Sequence, residues 1–227
     1  MFTIAVVNQK GGSGKSTLAQ CLAVAAYLDD KGVAILDIDP QGSAYKWAQR
    51  RKEKDPNPVV KSVTPANHED EWQSMKNADA DLVIFDTPAR LSDHTIGPIE
   101  LADLVIIPTK TTMKDLERVK ATYDLIQKTS DRARTFIVVN QTRPQAGRLD
   151  EPMKYLTTRG FAVCPYSLGY RVAFEDADED GQTPQEIEPQ GKAAAEIRSV
   201  YRYTIEALHH LTSEGVNHGK ELSRTVA

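Results

Sequence analysis

The sequence predicts a doubly wound α/β fold, a mostly parallel sheet flanked by helices, and three observations point to it. Five short, nearly continuous apolar runs recur along the chain: FTIAVVN (2–8), VAILDID (33–39), DLVIFD (81–86), DLVIIPT (103–109) and TFIVVN (135–140). Runs without polar alternation suit strands covered on both faces, as in a parallel sheet. Helical periodicity fills the gaps, and strand alternating with helix implies right-handed βαβ crossovers. Polar residues gather at the C-terminal ends of the runs, where ligands bind in open parallel sheets.

Taken in order, the first run leads into a helix over KSTLAQCLAVAAYLDDKG, with Leu18, Leu22, Ala25 and Leu28 on one stripe. A weaker strand is expected at PVVKSVT (58–64). In KDLERVKATYDLIQK, Leu116, Val119, Tyr123 and Ile126 share a helical face. A further short strand is expected at FAVCP (161–165) and a last helix over 193–211. The division is therefore a single domain, 1–211, followed by a polar, Gly-interrupted tail, 212–227, expected to be mobile.

Composition narrows the function. A chain of 227 residues suits one domain. No signal peptide is expected before MFTIAVVN, and no apolar run approaches the roughly 20 residues that span a bilayer. A net charge of −4 argues against coating nucleic acid by bulk charge and leaves room for a local basic patch. Cys21 and Cys164 lack metal-ligand spacing and read as buried, reduced thiols.

The most specific stretch is NQKGGSGKST, residues 8–17. It misses the usual phosphate-loop pattern G-x-x-x-x-G-K-[ST] by one position, since Gln9 stands where the first glycine belongs. Gly11, Gly12, Ser13 and Gly14 still allow backbone N–H groups to turn inward as an anion nest. A helix opening at Lys15 aims its N-terminal amides at a phosphate, Lys15 neutralises charge, and Ser16 offers a hydroxyl to Mg²⁺. The alternative is a Gly-rich turn without a ligand. In LDIDPQG, Asp37 and Asp39 are two apart on a strand, which sets both carboxylates on one side for a metal shell or a water. The alternative there is a helix N-cap followed by a turn. Asp86, after four apolar residues, fits an acid that reaches Mg²⁺ through water.

These motifs resemble the ParA/MinD family of phosphate-loop ATPases with the deviant Walker A loop. KGGSGKST is similar to that loop, DIDPQGSA to the second acidic motif of the ParA branch, and DLVIFDTPA and DLVIIPT to the later strands. The match runs to about residue 211, and the size is similar to the short plasmid-partition proteins that begin at the phosphate-loop strand. No helix-turn-helix region is expected, so neither is a role as operator-specific repressor.

The resemblance implies ATP and Mg²⁺ as cofactors and a homodimer in the ATP state. It implies that Lys10 crosses the dimer interface to the partner's nucleotide, which ties dimerisation to triphosphate occupancy and resembles an arginine finger. Lys15 then binds the β and γ phosphates, Ser16 the Mg²⁺, and Thr17 the α phosphate. Asp39 positions the attacking water, Asp86 supports the Mg²⁺, and Asp37 backs the site. Asn140 and the adjacent QTRP fall where the family holds adenine. The function implied is partition of DNA. The ATP dimer binds non-specific DNA, a ParB-like centromere-binding partner stimulates hydrolysis, and the protein is cytoplasmic and nucleoid-associated. Basic residues near Arg171 and Lys192 bind DNA in that family. Arg198 and Arg202, four apart, share a helical face and join them as candidates, with KWAQRRKEK (46–54) as the fallback. The acidic run FEDADEDG (174–181) should repel DNA or receive a basic peptide. The tail lacks apolar residues at helical spacing, so membrane targeting is not expected. Two other readings stay open: a similar switch with a protein cargo, and a phosphate-loop amidoligase or synthetase.

Overall fold

The computed structural model describes residues 1–51, 55–89, 93–142 and 149–225. Six strands form one sheet: β1 (Phe2–Val6), β2 (Val33–Asp37), β3 (Val59–Ser62), β4 (Leu82–Asp86), β5 (Leu104–Thr109) and β6 (Arg134–Val139). Their order is β3-β2-β4-β1-β5-β6, and every pairing is parallel. Between and after them lie α1 (Lys15–Tyr27), α2 (Ser43–Arg51), α3 (His68–Asn77), α4 (Asp93–Leu101), α5 (Met113–Thr129), α6 (Asp150–Thr157), α7 (Ala173–Glu179), α8 (Pro184–Ile187) and α9 (Lys192–Thr225).

Successive strand residues point to opposite faces, and each face meets helices. Ile4, Val6, Ile35, Ile84, Ile106 and Val138 face a core closed by α1, α2 and α9. Ala5, Val83, Phe85, Val105, Ile107 and Val139 face a second core that includes Ile99 of α4 and Leu116, Val119 and Ile126 of α5. Two covered faces explain why the strands read as unbroken apolar runs. At the sheet's edge, β3 is only partly buried, in keeping with its weaker pattern.

Three expectations change. The α1 stripe does not hold, because α1 is buried nearly all round between the sheet, α8 and α9, whereas Leu28 lies just past its end and is 58% exposed. The 161–165 strand is reduced to a bridge, Ile137 to Val163. The segment follows β6 through the Ile137 N–H to Ala162 C=O bond (2.9 Å) and the Cys164 N–H to Ile137 C=O bond (2.8 Å), but the next β6 carbonyl, Val139, accepts the Leu168 N–H (3.0 Å), so the ladder is broken there. Finally, α9 does not stop near 211. No proline follows Leu211, and isolated glycines weaken a helix by about 1 kcal/mol each rather than ending it, so the helix runs through the stretch read as a tail.

Candidate nucleotide site

The registers bring the site together. Val6 pairs with Asp86, and Asp86 with Asp37, so the ends of β1, β4 and β2 stand in one row. The loop that leaves β1 passes over this row. Its turn is held from behind: Asn8 Nδ2 donates to the Pro108 carbonyl (2.6 Å), and Asn8 Oδ1 accepts from the Lys10 N–H (2.8 Å). Gly14 adopts φ +87°, the left-handed region, and caps α1 there. A Cβ on Gly14 would stand 2.2 Å from Asn140 Nδ2. That close approach has a purpose, since Asn140 Nδ2 donates to the Ser13 carbonyl (3.0 Å).

Lys15 opens α1 and is 7% exposed; burial lowers its pKa, while the charges of Asp86 and Asp39 oppose the shift. Asp86 is fully buried, and neither carboxylate oxygen makes a geometrically satisfied hydrogen bond. Burial pushes its carboxyl up to about 7, Asp37 adds to the rise, and the nearby Ser16 hydroxyl and Lys15 ammonium counter it. A buried acid with both oxygens unpartnered, beside a lysine and a serine, fits a cation carried in with phosphates. The donor set therefore suits Mg²⁺, which Ser16 and Asp86 would hold between them. Ser13 Oγ is also buried without a partner.

Asp37 takes the other part open to it. The strand ends at Asp37, so Asp37 and Asp39 are not side by side. Asp37 Oδ1 accepts the Asp39 N–H (3.1 Å) and Oδ2 accepts the Tyr45 N–H (2.8 Å), at the start of α2. Its pKa is raised, burial outweighing those backbone bonds. Each oxygen accepts a backbone amide, so Asp37 anchors the start of α2. Asp39 is half-buried in the following turn, where its Oδ1 accepts the Gln41 N–H (2.9 Å), and it lines the cleft.

Lys10 lies at the outer lip, 38% exposed, and its ammonium forms an ion pair with Asp115 at the start of α5. Asp115 is 4% exposed and also accepts from the Thr112 hydroxyl; despite burial, these partners hold its carboxyl below the usual range. In the single chain, then, Lys10 is held by its own subunit.

The loop, Lys15, Ser16 and Thr17 form one wall of an open cleft of about 800 Å³. Its far wall was not legible in the sequence. Lys46 and Arg50 of α2 and Tyr170, Phe174 and Asp178 line it, and Arg50 pairs with Asp178 at 2.7 Å. The acidic run thus borders this cleft, balanced by a helix 128 residues away in sequence. Asn140 lines the cleft while bracing the loop. Of the QTRP segment, Arg143 and Pro144 lie outside the described residues.

The four expected DNA contacts do not form one basic face. Arg171 is spent on Glu196, through Nε to Oε2 (3.1 Å) and a second contact from Nη2 to Oε1. Lys192 is exposed at the first turn of α9, where the helix dipole disfavours a cation. Arg198 and Arg202 line a separate groove. In the fallback segment, Arg51 is 2% exposed and ties down α2 through Glu186 (2.7 Å); residues 52–54 lie outside the described residues.

The parallel sheet, the braced glycine turn and the lysine opening α1 define a phosphate-loop nucleotide-binding domain. The family profile described as the CobQ/CobB/MinD/ParA nucleotide binding domain matches residues 4–185, and the chain belongs to that family. It is 29% identical over 214 residues to "Maintenance of carboxysome distribution protein A" of Halothiobacillus neapolitanus, covering 90% of this chain and 96% of that protein. It is 30% identical to the "Chromosome-partitioning ATPase Soj" of Thermus thermophilus, covering 51% of this chain and 57% of that one. In fold it is similar to the septum site-determining protein MinD of Pyrococcus horikoshii complexed with Mg-ADP. The TM-score is 0.69 at 13% identity, with 89% of this chain and 95% of that one covered.

Proposed function

We propose that the chain is an ATP-dependent positioning switch for a protein assembly. ATP and Mg²⁺ occupy the cleft, and the ATP state is a homodimer. The observation that carries the ATPase reading is the convergence of Lys15, Asp86 and Asp39 at the braced loop: a cation for phosphate, a buried acid without a satisfied hydrogen bond for Mg²⁺, and a half-buried acid for water. In this reading Lys10 leaves Asp115 when the partner's triphosphate offers it a stronger counter-ion. The motifs alone favour DNA partition over a protein cargo; a protein cargo is favoured over partition because the similarity to the carboxysome distribution protein spans both chains almost fully, whereas that to Soj covers about half.

DNA partition with a ParB-like partner is the second reading, favoured by the Soj match. Both readings keep non-specific DNA as the track, with Lys192 as the exposed cation most suited to a phosphate, and both place the ATP state on the nucleoid. The test is turnover and capture. The parent should hydrolyse Mg-ATP with no small-molecule acceptor, and Lys15→Ala should lose nucleotide binding by calorimetry. Asp39→Ala, locked with ATP, should retain its partner from a lysate of the native host. An assembly component among the retained proteins supports the first reading and a centromere-binding protein the second. Turnover that requires a small acceptor refutes both in favour of a synthetase.

A further inference from the structure

A second concavity, about 510 Å³, lies between the C-terminal end of α1, α8 and α9. From the phosphate loop it is separated by the length of α1, about 20 Å at 1.5 Å per residue.

The groove has an apolar bed and a cationic rim. Ala25, Leu28 and Ile205 line it, and Leu28 presents 58% of its surface to solvent. A large aliphatic side chain that exposed, at the mouth of a cleft, marks a place where another apolar group gains by covering it. The rim holds Arg198 and Arg202, both exposed and one turn apart on α9. The Arg198 guanidinium is fixed in direction by Nη1 donating to the Pro189 carbonyl (2.7 Å), which leaves its other donors for a ligand. Of the rim's acids, Asp29 accepts the Tyr201 hydroxyl (3.0 Å), and Glu206 stands one turn beyond Arg202 and two beyond Arg198. The floor carries an unmet acceptor: Gln185 is 5% exposed, its Nε2 donates to the Cys21 carbonyl of α1 (2.8 Å), and its Oε1 has no partner.

We propose that this groove docks an acidic peptide segment of another protein. One apolar or aromatic side chain seats against Leu28 and Ile205, and a flanking carboxylate is taken by Arg198 and Arg202 in charge-assisted, fork-shaped contacts. Nucleic acid fits less well. A DNA backbone seeks an extended cationic surface, whereas this is a concave bed, half of it apolar, whose cations are two arginines one turn apart. Because Gln185 is bonded to the middle of α1, the occupant touches the helix whose first residue is Lys15.

The test uses the whole chain and a fluorescein-labelled acidic peptide, EDLFDE, followed by anisotropy, with KKLFKK as the charge-reversed control and a 30-bp duplex as the DNA arm. The expected result is saturable binding of EDLFDE and none of KKLFKK. Arg198→Glu with Arg202→Glu should weaken that binding at least tenfold, and Leu28→Asp should do so separately. All three side chains are exposed, so melting temperature and nucleotide affinity should stay at parent values; loss of nucleotide binding in the parent would speak against the cleft and leave this groove untouched. No saturable binding of EDLFDE, equal binding of KKLFKK, or parent-like binding in either variant overturns the proposal. So does a loss confined to duplex binding in the arginine variant, which would assign the face to DNA.

Discussion

Asp86→Asn is the sharpest test of the site's electrostatics, because the parent carries a buried acid that protein contacts leave unsatisfied. Unfolded, the Asp86 carboxyl titrates near 3.9; folded, burial and the Asp37 charge raise it to about 7. A raised acid holds its proton in the native state over pH values where the unfolded chain has released it. Its contribution to stability is therefore complete below about pH 4 and is lost as pH rises through 7. About three pKa units at 1.36 kcal/mol each set a ceiling near 4 kcal/mol. Asparagine cannot ionise but still buries an amide, so about half of that, roughly 2 kcal/mol, should reappear as a gain at pH 8. For a chain of this size that is about 4–8 °C in melting temperature. The assay is thermal unfolding of parent and variant from pH 4 to 9 with EDTA present. At pH 4 the variant should melt below the parent, since the amide penalty does not depend on pH; the curves should cross as pH rises, and the variant's lead should level off beyond pH 7. Adding Mg-ATP at pH 8 should raise the parent far more than the variant, since only the parent has an anion for the metal. Parallel pH curves, or equal stabilisation by Mg-ATP, would refute the assignment of Asp86 to a cation.

Other outcomes follow from the same geometry. Lys10→Ala should bind nucleotide yet lose dimer formation or stimulated turnover, whereas Asp39→Ala should accumulate as an ATP dimer; size exclusion with Mg-ATP plus phosphate release separates them, and parent-like behaviour in both sinks the trans-lysine account. Gly14→Ala places a methyl against Asn140 at φ +87°. It should cost about 1–2 kcal/mol in stability and weaken ATP binding more than tenfold by calorimetry; unchanged affinity would mean the loop is not held by that contact. Arg51→Met leaves Glu186 without its buried partner and should destabilise by about 3–5 kcal/mol in urea titrations, with a change under 1 kcal/mol counting against the ion pair as a structural tie.

What the sequence made legible was what repeats locally. Apolar runs reported strands with two covered faces, and the glycine spacing reported the turn over β1, because both depend on neighbours within a few residues. What it hid was set by contacts far along the chain. Leu28 continues the periodicity of α1 but lies past its end, so the pattern assigned it to a core that it does not reach. Arg171 read as a free cation because nothing nearby in sequence shows that Glu196, one turn into α9, takes its guanidinium. The acidic run 174–181 reads as a surface that repels DNA or receives a basic peptide, because the counter-charge of its Asp178, Arg50, is on α2.

Asp37 shows how two local readings can both be sound and only the fold choose between them. Two acids at i and i+2 fit a metal shell, and an acid ahead of a short helix fits a cap. The sheet register decides, by placing Asp37 opposite Asp86, also fully buried. Two ionised carboxylates that close would repel in a medium of low dielectric. The chain resolves the conflict by giving one of them backbone donors and leaving the other with none. The amides that satisfy Asp37 belong to the turn carrying Asp39 and to the first residues of α2. Asp37 is thus the joint that holds the turn carrying Asp39 and sets the start of the helix that carries Lys46 and Arg50 to the cleft.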